Sequence, residues 1–437
     1  MNEKILTNDE IIKILMDEIK NQNDKINELI KSNEDKDDKI NKLEYKYNEV
    51  IDRINEMDKY KNKEENEIIE ENKDKNIISK EYKKGDDIII KLKYRAEKAE
   101  KYNIFGKKFV ENNKNNIKLN IDGCITDLKF DYELNQGYNT IIMNILNPIQ
   151  NFEYMFHDCK CLENIDELNK LDTKYCSNFS NMFRGCSLLK DIKSLEKWDV
   201  SNGINFSYMF YGCSSLSDIS PLKNWNLSNV INETPSTSDF ISYNFSYMFY
   251  YCRSLKNISG LENWNVSNVN DFSFMFQGCL SLDNIKALYN WNVSNGSNFS
   301  SMFYHCESLS DIKSLENWNV SNGSNFSSMF KECSKLKDIS PLENWNLSKS
   351  NNFSYMFYHC ESLSDIKSLE NWNVSNGKNF SYMFYWCKSL SDIKPLEKWN
   401  VSKGTDFSHM FSDCFKLKDI KPTKKWKISK SLLEKIK

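Results

Sequence analysis

The chain has 437 residues, of which 40% are hydrophobic and 13% aromatic, too many for one small core and too apolar a mix for a disordered chain. Its formal net charge of -3 gives no global attraction to nucleic acid or to an anionic membrane. No apolar run reaches the roughly 18 residues of a membrane helix, and Met1 to Glu10 lacks the charged-then-apolar order of a secretory signal. The expectation is therefore a cytoplasmic protein without membrane insertion, the alternative being surface display by a non-classical route.

From Ile5 to Met57 the apolar residues keep a heptad register. Ile12, Ile19, Ile26, Ile40 and Ile54 share one seam position with the single polar Asn33, while Leu15, Leu29, Leu43 and Val50 occupy the other. Ile and Leu so divided favour two parallel strands, and a lone Asn in the seam sets register and dimer state. Residues 1–58 are predicted to be a parallel coiled coil that makes a homodimer. The Glu/Lys/Asn run over 59–85 reads as a charged linker. Residues 86–150 read as a small α+β N-terminal cap. It is predicted to hold a helix over Ile88 to Tyr102 and strands over Ile117 to Ile121, Ile125 to Phe130 and Thr140 to Leu146, with a hairpin turn at Asp122-Gly123.

The hexamer Asn-Phe-Ser-x-Met-Phe, or a close variant, begins at Asn151, Asn178, Asn205, Asn244, Asp271, Asn298, Asn325, Asn352, Asn379 and Asp406. Every step is 27 residues except that from Asn205 to Asn244, which carries an insertion around Ile231 to Ser242. Such a fixed period is the signature of a solenoid, here ten repeats over 151–426. In the unit from Asn298 to Ser324 the recurrent apolar residues are Phe299, Met302, Phe303, Cys306, Leu309, Ile312, Leu315, Trp318 and Val320. The first four fit one face of a short helix, Leu309 to Leu315 suits one strand per coil, and Asn322-Gly323 reads as a tight turn. A lone unit cannot bury these faces, so the coils must stack, at about 4.8 Å each. Residues 427–437 read as a basic C-terminal cap in which Ser431-Leu432-Leu433-Glu434 suits a short closing helix.

The stretch Asn265 to Leu282, Asn-Val-Ser-Asn-Val-Asn-Asp-Phe-Ser-Phe-Met-Phe-Gln-Gly-Cys-Leu-Ser-Leu, resembles the repeat of the BspA-like leucine-rich-repeat surface proteins and the related mycoplasma-type surface repeat. The column Trp198, Trp225, Trp264, Trp291, Trp318, Trp345, Trp372, Trp399 and Trp426 is also similar to the tryptophan-repeat families of large AT-rich DNA viruses. The resemblance implies an α/β, right-handed, leucine-rich-repeat-like solenoid with a role in binding, adhesion or scaffolding, and it brings no catalytic residues.

Ten of the thirteen cysteines recur once per repeat, from Cys159 to Cys414, which is a packing column of buried thiols rather than a disulfide framework. His305 and His359 neighbour column cysteines, but other units hold Glu332, Gly278 or Trp386 there, so no Cys-His nucleophile is expected. A zinc site from His157, Cys159, Cys161 and Cys176 lacks paired CxxC spacing. The Asp column, including Asp311 and Asp365, has lysines two residues on, such as Lys313 and Lys367, for neutralisation. No enzyme activity, cofactor, metal or small-molecule substrate is expected. Tyr208, Tyr211, Tyr247, Tyr250, Tyr304, Tyr355, Tyr358, Tyr382, Tyr385 and Trp386 stand at positions that vary between copies. Exposed there, they would form a protein-binding face; stacked, a ladder that stabilises the rod. The expected function is a non-enzymatic protein-protein interaction scaffold presented from a coiled-coil dimer, with a surface-exposed, adhesin-like or host-interaction repeat protein as the alternative. The lysine-rich C-terminus is the competing binding site.

Overall fold

The computed structural model describes residues 88–227 and 243–436. The coiled-coil seam from Ile12 to Ile54, the charged linker and the insertion at 231–242 lie outside the described residues.

The chain enters as a strand, β1 (Ile88–Ala96), where a helix had been expected. Ile90, Leu92, Tyr94 and Ala96 are buried and alternate with Lys91, Lys93 and Arg95, a period of two that the helix reading overlooked. Then come β2 (Glu100–Asn103), α1 (Lys107–Asn113), β3 (Ile117–Ile121), β4 (Cys124–Asp127), β5 (Asp131–Leu134) and β6 (Gly137–Ile145). The two-residue turn at Asp122-Gly123 joins β3 to β4 with φ of 52° and 82°, as a hairpin turn of the primed kind requires. The main sheet runs β4-β3-β6-β1-β7, and its last strand, β7 (Leu162–Asn164), belongs to the first repeat. The N-terminal sheet thus grips the first coil through backbone pairing. At Gly106 a Cβ would lie 1.9 Å from the Tyr154 carbonyl oxygen, so only glycine lets α1 approach that coil.

Each repeat opens not with a helix but with a ribbon of turns. In the unit at Asn298, the N–H groups of Phe299, Ser301, Phe303 and His305 donate to Asn325, Ser327, Met329 and Lys331 of the next coil at 2.7–3.0 Å. Those of Met302, Tyr304, Cys306 and Leu309 donate three residues back within their own coil at 3.0–3.3 Å. Half of the donors are therefore turned along the stack, which an α-helix cannot do. Ser301 and His305 take φ of 55° and 59° to achieve it, and equivalent residues do so along the chain. Phe299, Met302, Phe303 and Cys306 still point inward, so the apolar spacing that suggested a helix is satisfied by different backbone geometry. The expected strand from Leu309 to Leu315 is likewise replaced. A single bridge joins Asn284 to Asp311, and Lys313–Asn317 winds into a 3-10 turn. The array is one of tandem repeats with bridges and 3-10 turns, and its only α-helix among the described residues is the closing α2 (Lys430–Glu434).

The interior is a set of columns. All nine apolar residues of the Asn298 unit are at most 4% exposed, as are their counterparts in the units on either side. Trp318 Nε1 donates to the Leu288 carbonyl of the preceding coil at 3.1 Å, and Cys306 Sγ to the Phe276 carbonyl at 3.1 Å. Glycine after asparagine serves packing rather than a tight turn. At Gly323 a Cβ would stand 2.4 Å from the Phe326 ring, and the residue is not in the left-handed region. At the far end the Ser429 hydroxyl caps α2, and Lys435 and Ile436 supply the carbonyls that His409 and Phe411 would otherwise take from a following coil. No helix among the described residues is long and apolar enough to cross a membrane.

Candidate protein-binding surface

The aromatic residues singled out from the sequence line up in columns on the turn ribbons. Tyr154, Tyr208, Tyr247, Phe274, Tyr355, Tyr382 and His409 hold the first left-handed position of their turns. Tyr211, Tyr250, Tyr304, Tyr358 and Tyr385 follow three residues later, and Trp386 and His359 sit at the second left-handed position. Because equivalent residues repeat at the coil spacing, their rings stack. Centroids lie 4.5 Å apart for Tyr208 and Tyr247, 4.5 Å for Tyr211 and Tyr250, 4.7 Å for Tyr355 and Tyr382, and 4.9 Å for Tyr358 and Tyr385. His359 stacks on Trp386 at 5.0 Å.

These rings are less exposed than their variability suggested. Tyr250 is 1% exposed and Tyr211 and Tyr304 are 8% exposed, while Tyr208, Tyr247, Tyr355, Tyr358, Tyr382, Tyr385 and Trp386 are half-buried. Variation between copies here reflects exchange among groups that stack, not freedom at a solvent position. Arg184 lies over Tyr208 and Tyr211 at 5.2 and 4.7 Å. The Lys331 ammonium sits 4.4 Å from the Tyr304 ring and 5.1 Å from the Tyr358 ring, between two tyrosines of one column. Gln277 fills the gap between Tyr250 and Tyr304 and donates to the Tyr250 hydroxyl at 3.3 Å. Cations and an amide thus complete the stacks by facing the electron-rich ring faces. The sequence reading missed these members; the signal was that they share a repeat position with tyrosine. Burial, then a hydrogen bond to the Asp413 carboxylate, raises the Tyr385 pKa, so its hydroxyl stays protonated with its one proton donated to Asp413.

The polar columns have backbone work. The Asp311, Asp338 and Asp365 carboxylates accept the N–H of the residue two further on at 2.8–3.0 Å, in Asx turns that start each 3-10 turn. The expected neutralisation by lysine side chains is therefore not their main tie. Between consecutive 3-10 turns run open polar grooves, one lined by Asp338, Ser340, Asp365 and Lys367. His305 points to Glu307 at 2.9 Å while the Cys306 thiol donates to a carbonyl, so the two do not pair. Burial pushes the column thiols well up and takes Cys161 to about 11 and Cys176 to about 12. Cys176 Sγ donates to the Ile149 carbonyl, and among the described residues no group of three or more His, Cys, Asp or Glu is placed to hold a metal ion.

No curated protein and no solved structure matches the chain. A family model does, over residues 136–240, 243–366 and 338–435, the same segments that carry the stacked coils. With well over half its length matched in tandem, the chain belongs to the family described as Mycoplasma protein of unknown function, DUF285.

Proposed function

We propose that the protein is a non-enzymatic interaction scaffold, a right-handed, leucine-rich-repeat-like solenoid of ten repeats carried on a parallel coiled-coil homodimer. The observation that supports this reading best is the set of half-buried rings of Tyr208, Tyr247, Tyr355 and Tyr382. Their faces are held by neighbours, so a partner protein meets pre-ordered edges and hydroxyls at little entropic cost. The nine apolar columns meanwhile keep similar residue types from coil to coil, so what differs along the stack is the aromatic columns and the outward side chains. Thirteen free cysteines favour a reducing, cytoplasmic setting.

Affinity capture with the full chain and with a Tyr355→Ser, Tyr382→Ser variant tests the lateral surface. A partner held by the first and lost by the second is expected, and equal recovery argues against it. The dimer rests on the seam of Ile12, Leu15, Ile19, Ile26, Leu29, Asn33, Ile40, Leu43, Val50 and Ile54. Light scattering should give twice the chain mass, and Leu29→Lys with Leu43→Lys should halve it. The second reading, an adhesin-like surface protein, is favoured by the resemblance to surface repeats; protease digestion of the protein on intact cells distinguishes the two.

A further inference from the structure

The C-terminal end of the stack differs in charge from the coils before it. The turn ribbon of each coil donates backbone hydrogen bonds toward the C-terminus, while N–H groups at the bridges, such as those of Ser324 and Asn325 to Ser297, donate back; in the last coil Lys435 and Ile436 meet the ribbon donors of His409 and Phe411. Residues 388–436 carry twelve lysines against six carboxylates, whereas 298–387 carry seven lysines against nine. Lys394, Lys418, Lys421 and Lys425 line an open groove at this end, interleaved with Asp392, Glu397 and Asp419. Phe415, three residues before Lys418, is 68% exposed, more than any other large apolar side chain among the described residues of the repeats, and its ring stands edge to face with Trp386 at 5.6 Å.

We propose that this end is a docking surface for an acidic protein segment that carries an apolar residue. The segment's carboxylates meet Lys416, Lys418 and Lys424, and its apolar side chain covers Phe415. The carboxylates already in the groove choose the class of partner. Lys421 is held by Asp419 at 3.2 Å and Lys425 by Glu397, so the free positive charge is discontinuous. A phosphate backbone or a lipid surface would press its unbroken negative charge against Asp392, Glu397 and Asp419. A peptide can place its carboxylates at intervals and pass neutral residues over the acidic ones. The site adjoins the aromatic columns at Trp386 but does not rest on the scaffold reading.

The test uses the full chain and a fluorescein-labelled peptide of glutamates interrupted by leucines, followed by anisotropy across a salt series. Saturable binding is expected, weaker as salt rises. Lys418→Glu with Lys424→Glu should reduce affinity about tenfold, and Phe415→Ser about threefold to fivefold. Tyr355→Ser with Tyr382→Ser should leave it unchanged, which separates this site from the lateral surface. Circular dichroism checks that these replacements leave the fold intact. The proposal is overturned if the peptide does not bind, if Phe415→Ser binds as well as the parent, or if an oligothymidylate or phosphatidylserine vesicle binds more tightly than the peptide.

Discussion

Cysteine in the column is used for its size and its weak donor together. Cys186, Cys213, Cys306 and Cys387 each place Sγ 3.1–3.2 Å from a phenylalanine carbonyl of the preceding coil, so the thiol fills a methyl-sized space and satisfies an acceptor lone pair. Only Cys124 is exposed. A thiol reagent at neutral pH should therefore modify one cysteine quickly and the others only after denaturant is added; several fast sites in the folded chain would contradict this packing. Burial also raises the column pKa values above the ordinary value of 9.0. The folded chain then keeps thiol protons that the unfolded chain gives up. Stability from this source is intact below pH 9 and is lost as pH rises beyond it, by up to about 1.4 kcal/mol per pH unit for each fully buried thiol. Denaturant midpoints should fall steeply above about pH 9, and Cys306→Ala with Cys333→Ala should make the fall shallower.

The turn ribbon sets what each element tolerates. At Gly323 the packing account and the tight-turn account give opposite expectations for asparagine, which is at home in a left-handed turn but cannot share space with the Phe326 ring. Gly323→Asn should destabilise at least as much as Gly323→Ala, each by roughly 1–3 kcal/mol from overpacking. An asparagine variant as stable as the parent would restore the turn reading. This element also marks the limit of what was legible in the sequence. The inward set Phe299, Met302, Phe303 and Cys306 could be read correctly, because any geometry that buries them needs that spacing. The backbone beneath could not, because it depends on carbonyls supplied 26 residues later by a neighbouring coil. Gly185, Gly212 and Gly278, at positions where other copies hold Asp158 or His305, were the local trace of left-handed φ. The tyrosines were misjudged for a similar reason, since Arg184, Gln277 and Lys331 look like surface variation until the stacking partners are known.

At the scale of the whole molecule, a stack held by neighbour-to-neighbour contacts is only as secure as its ends. The N-terminal end is closed by a sheet whose β1 pairs with β7 inside the first coil, while the C-terminal end relies on a short tail. Ile436 is fully buried there, and the carbonyls of Lys435 and Ile436 take the donors of His409 and Phe411 at 2.8 and 3.1 Å. The two ends should therefore fray unequally. Ile436→Asp places a charge where an apolar side chain is buried, so the tail should lift and expose the last coil without unfolding those behind it. Cys414, 7% exposed in the closed end, and Cys306, fully buried farther back, report the difference. Thiol labelling without denaturant should become fast at Cys414 in Ile436→Asp and stay slow at Cys306. If both cysteines react together, the coils unfold as one cooperative unit and the tail caps the whole array; if neither does, the last coil is held by its own interior and the tail contributes little.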